Sequence, residues 1–474
     1  MESIAKLYGF EDEIEWKEPA GGVEDSPFWY LKVPNEEAAQ KLAARAMLIK
    51  GLYDLWGEGK DHEELKAKLR AYPEDKQAPY IREDTTFKIV VEGFGCALDL
   101  EEQLDVIRDL SFMEFKGKVR LSNPEHEFWY IQTADGKRNN GMDDDIPQRV
   151  YFGREVGRGN RNNSANKTTA PRQLITRLAL KDRKYLGPTS MDTEMSLIMA
   201  NQGLVCQKSW VYDPFVGTGS VLVGAAAFGA KTMGSDIDIR CVRPDKFSKS
   251  GEKVSLQSNF LQYGFAPPVG MLRMDSHRPA IREDLECVFD AIICDPPYGM
   301  RAGGRKSGGR KFEAGPYVIR EEQRPSHIPS TQPYPMYECM DDLLDFSARI
   351  LKLGGRLVYF FPAAVDLYED QQVPQHPALH LVSNSEQVLS TYRARRLITM
   401  EKVRDYDREE ALESRRQQEG IRSEWKEVAC GTTTTLVSPS HACFDRLEVS
   451  IGPAGDPRME MAVPSGKPGR NKYW

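Results

Sequence analysis

Short apolar runs and longer amphipathic stretches alternate along the carboxyl-terminal half of the chain. Apolar runs rich in β-branched and aromatic side chains predict buried strands, and apolar residues at helical spacing predict the helices between them. This alternation is typical of an α/β fold with a mostly parallel sheet. The predicted strands are 209–212, 231–235, 270–274, 289–294, 356–361 and 393–400, and the predicted helices are 189–201, 221–228, 341–351 and 383–389.

The first 150 residues mix shorter strands with helices and predict an α+β unit. Asp99 and Glu102 have the spacing of a capping pair at the start of one helix. The predicted helices are 38–56 and 100–110, the strands are 86–91, 119–121 and 128–132, and 135–145 is a loop; 153–166 is an exposed segment before a linker helix at 173–180.

Aspartates follow several predicted strands of the α/β region. Any one of them alone is typical of a solvated turn. Together, at the carboxyl ends of strands in one sheet, they indicate a single crevice, because ligands of open α/β sheets bind there. These residues are Asp213, Asp236, Asp275 and Asp295.

Residues 213–220 read Asp-Pro-Phe-Val-Gly-Thr-Gly-Ser between a predicted strand and a predicted helix. Gly217 and Gly219 let a ligand approach the backbone closely, and the helix start presents N–H groups. A dinucleotide fingerprint needs a third glycine where Leu222 stands, which weakens a dehydrogenase interpretation.

The turn Asp295-Pro296-Pro297-Tyr298 follows a buried strand and suits chemistry on a planar amine. The lone pair of such an amine is delocalised, so the nitrogen attacks poorly unless acceptors hold its N–H groups. Asp295 offers a carboxylate, Pro296 offers a carbonyl on a rigid backbone, and Tyr298 offers a face for stacking a base. The alternative is a Pro-Pro turn of no chemical role.

These motifs carry a resemblance. The loop at 213–220 with the turn at 295–298 resembles the S-adenosylmethionine-dependent, Rossmann-like amino-methyltransferases. The strings at 185–192 and 298–306 are similar to the eukaryotic tRNA guanosine-10 N2-methyltransferases, catalytic subunits of two-protein enzymes, and 115–126 resembles part of a THUMP RNA-binding domain. The resemblance covers about residues 1–440.

The resemblance implies a Rossmann-like methyltransferase with a mostly parallel seven-stranded sheet, preceded by an α+β ferredoxin-like and THUMP RNA-binding region. The expected divisions are a 1–150 RNA-binding region, a 151–186 basic linker, a 187–445 methyltransferase domain and a 446–474 flexible tail. The implied reaction is an in-line displacement, in which positioning contributes ~7 to 11 kcal/mol and no acid-base triad is required.

The resemblance also assigns roles to residues. Catalysis is expected at Asp295, Pro296, Pro297 and Tyr298, and S-adenosylmethionine binding at Asp213, Phe215, Gly217, Thr218, Gly219, Asp236, Ile237, Asp275, Ser276 and Thr189. Helix capping is an equally good explanation for the segment around Thr189. A small zinc-binding activator subunit is implied, adding a strand at a sheet edge near 253–260, where Phe260, Tyr263 and Phe265 form an apolar strip or pack in the core.

The charge balance, 64 Lys plus Arg against 71 Asp plus Glu, excludes a uniformly basic RNA binder, so any tRNA surface is local. Basic residues concentrate at 149–184 and after the acidic turn, in a Gly-, Arg- and Pro-rich loop at 301–335. A solvated linker and a solvated loop are the alternatives. The candidate RNA contacts are Arg158, Arg161, Arg172, Arg301, Arg305 and Lys306.

The eight cysteines are scattered, without metal-ligand spacing, so we expect no metal in this chain and a reducing compartment. No apolar stretch reaches the ~20 residues of a membrane span, and the amino terminus, Met1-Glu2-Ser3-Ile4, lacks the basic region and apolar core of a secretory signal, so we expect a cytoplasmic protein without membrane contact. Two other functions stay open: methylation of another amine, in a DNA or RNA base or a protein glutamine, and a non-catalytic RNA-binding subunit with a vestigial methyltransferase fold.

Overall fold

The computed structural model divides the chain into two units, Met1–Leu174 and Ile175–Trp474. The bounds expected from the sequence stay a prediction. The predicted loop 135–145 and tail 446–474, together with Tyr298, Thr189, Arg161 and Arg301, lie outside the described residues. The structure describes residues 1–18, 26–133, 148–159, 170–187, 190–242, 246–247, 251, 253–297, 303–308, 319–323, 330–365 and 368–431.

The first unit is built on a five-stranded sheet in the order β3-β7-β6-β4-β5, beside a separate β1-β2 hairpin. Trp56, Phe128 and Phe152 form its aromatic core. The helices are α1 (Glu2–Tyr8), α2 (Glu36–Arg45), α3 (His62–Arg70), α4 (Glu74–Gln77), α5 (Leu100–Asp109) and α6 (Ala170–Arg177), and the strands are β1 (Glu15–Lys17), β2 (Tyr30–Lys32), β3 (Gly51–Gly59), β4 (Thr86–Phe94), β5 (Lys118–Val119), β6 (His126–Thr133) and β7 (Val150–Arg158).

Local signals in the first unit predict some elements well and miss others. The capping box of Asp99 and Glu102 at the start of α5 is confirmed. The predicted helix 38–56 is wrong beyond Arg45: the chain continues as β3, which pairs with β7, and its Trp56 is buried in the aromatic core. The prediction of an exposed segment from residue 153 is also wrong as far as Arg158, because these residues belong to β7, which lies between β3 and β6 in the sheet.

The second unit contains a seven-stranded sheet in the order β12-β9-β8-β13-β16-β18-β17, with β14-β15 and β10-β11 as separate hairpins. The helices are α7 (Thr193–Gln202), α8 (Ser220–Ala227), α9 (Ile239–Val242), α10 (Leu256–Gln262), α11 (Met336–Ile350) and α12 (Arg408–Gly431), and the strands are β8 (Trp210–Asp213), β9 (Lys231–Asp236), β10 (Lys246–Phe247), β11 (Lys253–Val254), β12 (Gly270–Arg273), β13 (Phe289–Cys294), β14 (Arg305–Ser307), β15 (Thr331–Pro333), β16 (Leu351–Ala364), β17 (Leu379–Val388) and β18 (Arg393–Lys402).

Strands β12, β9, β8, β13 and β16 pair in parallel, and β18 and β17 complete the sheet in antiparallel pairing. The fold class predicted from the sequence is therefore confirmed. In β13 the residues from Ala291 to Cys294 are all buried, which is typical of a central parallel strand covered on both faces. None of the described helices combines the length and apolar character that crossing a membrane requires.

Three predictions about the second unit are wrong. The helix expected at 383–389 is absent: residues 383–388 belong to β17, because they pair with β18. Residues 253–260 are not an edge strand: β11 is short, and α10 follows it with Phe260 fully buried. The helix expected at 189–201 begins at Thr193, where the Asp192 side chain accepts the N–H groups of Glu194 and Met195 as its cap.

Candidate active site

The predicted acids lie at the carboxyl ends of neighbouring strands. β8 ends at Asp213 and β9 at Asp236, while Asp295 follows β13 directly and Asp275 lies just beyond β12. In the sheet, β8 has β9 on one side and β13 on the other. The chain thus reverses its direction across the sheet at β8, which creates a crevice at the ends of these strands.

The glycine loop after β8 has a backbone that only glycine adopts without strain. Gly217 has φ +50° and Gly219 has φ +79°, both in the left-handed region. The N–H of Gly217 donates to Asp236 Oδ2 at 2.9 Å, which joins the loop to the end of β9. A Cβ at Gly217 would meet only the Phe215 carbonyl oxygen at 4.0 Å, whereas one at Gly219 would lie 2.8 Å from Leu256 Cγ. Gly217 is therefore the open side of the loop, and Gly219 is needed for packing.

Thr218 connects the glycine loop to the segment before α7. Its Oγ1 lies 2.9 Å from Ser190 Oγ, within hydrogen-bonding distance. The Thr218 carbonyl oxygen accepts from Asn259 Nδ2 at 3.4 Å. The Asn259 side chain also accepts the Tyr185 N–H and donates to the Tyr185 carbonyl. The sequence interpretation missed Asn259, because no motif marks a buried asparagine on a short helix.

Asp213 is buried, and its Oδ1 accepts the N–H of Phe215 at 2.9 Å. Burial raises the pKa of Asp213 well above its usual range, and the nearby carboxylates of Asp236 and Asp295 raise this pKa further. Carboxyl groups from three neighbouring strand ends therefore lie close together at the base of the crevice.

This raised pKa predicts a pH-dependent effect of Asp213→Asn. The protonated form of Asp213 is favoured in the folded state, whereas in the unfolded state Asp213 ionises in the usual aspartate range. The wild type therefore loses stability as the pH rises from that range towards the raised pKa of the folded state. The asparagine cannot ionise and still accepts the N–H of Phe215. We expect the variant to melt about 2–4 °C above wild type at pH 8, and the difference to shrink at pH 5. Calorimetry without S-adenosylmethionine measures this, and a difference that is the same at both pH values contradicts it.

Asp275 holds the hairpin that follows the acidic turn, and Ser276 contacts the glycine loop. Asp275 accepts the N–H of His277 at 3.0 Å and the N–H of Ser307 on β14 at 2.7 Å. Ser276 Oγ donates to the Pro214 carbonyl at 3.3 Å. The loop expected at 301–335 thus contains an antiparallel β14-β15 hairpin in its described part.

The remaining cofactor candidates border the same strand ends. Phe215, Thr218 and Ile237 are half-buried, as are Asp236 and Asp275. The structure therefore brings the described cofactor candidates together on neighbouring loops, while their role in binding stays a proposal.

Two of the candidate RNA contacts are engaged by carboxylates. Arg158 Nη2 lies 2.6 Å from Glu127, and its Nε lies 3.0 Å from Glu155. Lys306 Nζ lies 2.6 Å from Glu338 Oε2. These cations are already paired with carboxylates, of which Glu127 is buried and Glu338 half-buried, so they are less available to phosphates. Their contact with RNA stays a prediction. Arg172 and Arg305 are exposed and stay candidates.

A group with metal-ligand chemistry lies beside the hairpin. Ligand-type atoms of His277, Glu338 and Asp342 all lie within 4.8 Å of one another. The same carboxylates already pair with cations, Asp342 with Arg415 Nη1 at 2.7 Å and Glu338 with Lys306. These two positive charges oppose a bound metal ion, so the cluster acts as an ion-pair network.

Comparisons with known proteins agree with this architecture. A family model described as the Tmrp11 THUMP N-terminal domain matches residues 1–161, and one described as the RMKL-like methyltransferase domain matches residues 181–313. The tRNA (guanine(10)-N(2))-methyltransferase TRMT11 of Mus musculus is 40% identical over 389 residues, 81% of each chain. This chain belongs to the tRNA (guanine(10)-N(2))-methyltransferase family. The family predicted from the sequence is confirmed.

Other members of this tRNA methyltransferase family are similarly related. TRMT11 of Homo sapiens is 39% identical over 394 residues, 81% of each chain. TRMT11 of Dictyostelium discoideum is 36% identical over 427 residues, 86% of this chain and 80% of that protein. The match to the crystal structure of TrmN from Thermus thermophilus covers 74% of this chain and 82% of the TrmN chain at 14% sequence identity. Its TM-score is 0.33, and a similarity this weak has no bearing on function.

Proposed function

We propose that this chain transfers a methyl group from S-adenosylmethionine to the 2-amino group of guanine 10 in tRNA. The observation that carries the proposal is the Asp295 turn directly after β13, beside the glycine loop after β8, in a chain 40% identical to an enzyme of that name. The fold alone would not distinguish one methyl acceptor from another.

The described residues of the glycine loop fit S-adenosylmethionine. The open side of Gly217 leaves room for a ligand to approach the backbone, and the carboxyl groups of Asp236 and Asp295 at the neighbouring strand ends suit a cationic sulfonium. When bound, S-adenosylmethionine supplies an electrophilic methyl group. Asp236 and Asp275 are the proposed acceptors for its ribose hydroxyls and its adenine amine.

The acidic turn is the proposed site for the guanine amine. Asp295 is half-buried and Pro296 is buried, so both acceptors are shielded from water. Accepting both N–H hydrogens holds the amine in one orientation and keeps its nitrogen lone pair available. Tyr298 is proposed to stack on the base, which must leave its stack at a cost of a few kcal/mol.

The first unit is the proposed tRNA-binding region, and a chain that begins at Ile175 tests this. We expect its tRNA affinity to fall at least about tenfold, because most phosphate contacts are lost. Its affinity for S-adenosylmethionine is expected to stay at the wild-type value, since the glycine loop lies in the second unit. Fluorescence anisotropy with labelled tRNA and calorimetry with S-adenosylmethionine measure the two affinities. Unchanged tRNA binding by the shorter chain contradicts the assignment.

We further propose that a small zinc-binding activator subunit adds a strand beside β12. This strand lies at one end of the sheet order, and Val269 and Leu272 near it are 62% and 36% exposed. Pairing with a partner strand would cover this edge. A fully active preparation of the chain alone would contradict an obligatory partner. The cytoplasmic location stays a prediction.

Incubation with total tRNA and methyl-labelled S-adenosylmethionine, followed by nuclease mapping of the labelled nucleoside, tests the proposed function. N2-methylguanosine is the expected product. Label in adenine or in a protein glutamine would support the alternative acceptors, and the absence of label would support a non-catalytic subunit.

A further inference from the structure

Arg395 on β18 is held in one orientation by its neighbours in the sheet. Its guanidinium carbon lies 3.7 Å from the ring centroid of the fully buried Phe360. Its Nε donates to Gln387 Oε1 at 2.7 Å, and its side chain is only 14% exposed. A planar guanidinium stacked on a ring and bonded at its stem has little rotational freedom left.

The outer nitrogens of Arg395 reach two segments of the candidate active site. Nη1 lies 3.9 Å from Asp295 Oδ1, and Nη2 donates to the sulfur of Met191 at 3.8 Å. Met191 directly precedes Asp192, the cap of α7. Arg395 therefore joins the acidic turn to the segment before α7, although neither motif contains it.

Resting on the proposed function, we propose that Arg395 is a positioning residue for Asp295, which fixes the orientation of its carboxylate and keeps it negatively charged. In an ionised carboxylate, both oxygens can accept an N–H of the guanine amine. In a protonated carboxyl group, one oxygen carries a proton and is a donor. The chemistry at the turn thus depends on a cation that contacts neither reactant.

The need for this cation follows from the charges around Asp295. Asp213 faces it from the end of β8, Cys294 lies on its own strand, and Asp236 lies beyond Asp213. Neighbouring carboxylates oppose each other's ionisation, whereas a cation within a few ångströms favours it. Arg395 supplies that cation from β18.

Arg395→Met tests the proposal in the full-length chain, by the pH dependence of tRNA methylation. We expect kcat at pH 7.5 to fall about thirtyfold and the acidic limb of the kcat profile to move about one unit towards higher pH, since Asp295 then protonates more easily. The Kd of S-adenosylmethionine, measured by calorimetry, is expected to change by less than about twofold.

Arg396→Met is the matched control. Arg396 is the next residue of β18, is 16% exposed, stacks at 4.4 Å on Tyr368 and donates to Asn384 at 2.8 Å. Its side chain points to the opposite face of the sheet, because successive residues of a strand alternate. Its substitution carries a similar cost in packing, and we expect it to leave the acidic limb at the wild-type position.

Arg395→Lys separates charge from geometry. The ammonium keeps a positive charge near Asp295 but lacks the planar fork of the guanidinium. We therefore expect the acidic limb of the kcat profile to lie at the wild-type position, and kcat itself to be about tenfold below that of wild type. If Arg395→Met does not fold, this variant carries the test alone, and a wild-type kcat overturns the proposal. An acidic limb in Arg395→Met that coincides with that of Arg396→Met also overturns it. A wild-type chain that leaves guanine 10 unmethylated in the presence of the activator subunit contradicts the proposed function itself.

Discussion

Asp295→Ala is expected to lower the rate of methyl transfer at least about a thousandfold, because the amine loses the fixed acceptor that orients it. The carboxylate follows β13 directly, and an acidic side chain contributes no attraction to the tRNA phosphates. We therefore expect the tRNA affinity to stay within about twofold of wild type. Single-turnover methylation and a tRNA binding assay measure the two quantities.

Asp290→Ala is the control on the same strand. Asp290 lies near the other end of β13, where it accepts from Lys352 Nζ at 2.6 Å and from the Trp210 N–H at 2.7 Å. Loss of the Asp290 side chain is expected to lower the melting temperature. The methyl-transfer rate constant of the folded variant is expected to stay at the wild-type value. If Asp295→Ala loses tRNA binding in parallel with activity, Asp295 is a structural residue and the proposed chemistry is wrong.

Gly217→Val is expected to weaken S-adenosylmethionine binding at least about a hundredfold. Left-handed backbone costs a residue with a Cβ ~1–2 kcal/mol of folding stability. The branched side chain also fills the open side of the loop, where a Cβ meets nothing closer than 4.0 Å. The filled space is the effect that acts on binding, and a hundredfold loss of affinity corresponds to about 2.8 kcal/mol.

Gly264→Val separates strain from occupied space. Gly264 has φ +73°, a Cβ there meets nothing within 4 Å, and it lies after α10, outside the crevice. It carries a similar backbone cost, so we expect lower stability with unchanged affinity. Calorimetry decides between the two positions, and equal affinity of Gly217→Val and wild type would remove the loop from the binding site.

The parallel core of the fold is predictable because its signals are local. In β8 and β13, a short apolar run and the aspartate at its end are adjacent in the sequence. Pairing between distant segments is not visible in this way. The predicted helix at 383–389 is a strand because β18 lies beside it, and apolar periodicity over so few residues does not separate the two structures.

The residues of the candidate site also divide into those that a local motif marks and those that only the fold brings together. The described acids and glycines at the strand ends were predicted, since each lies in a recognisable motif. The ion pair of Arg158 was not predicted, because a count of basic residues does not reveal Glu127 on the neighbouring strand. Arg395 was missed because its contact with Asp295 joins residues far apart in the sequence, and only the sheet brings them together.

The central claim is that the methyl acceptor is the 2-amino group of guanine 10, and a matched pair of tRNA transcripts tests it most directly. One transcript carries guanosine at position 10 and the other inosine, which lacks only that amino group. With S-adenosylmethionine and the full-length chain, supplemented with the activator subunit where activity requires it, we predict methylation of the guanosine transcript and none of the inosine transcript. Equal methylation of the two would contradict the claim.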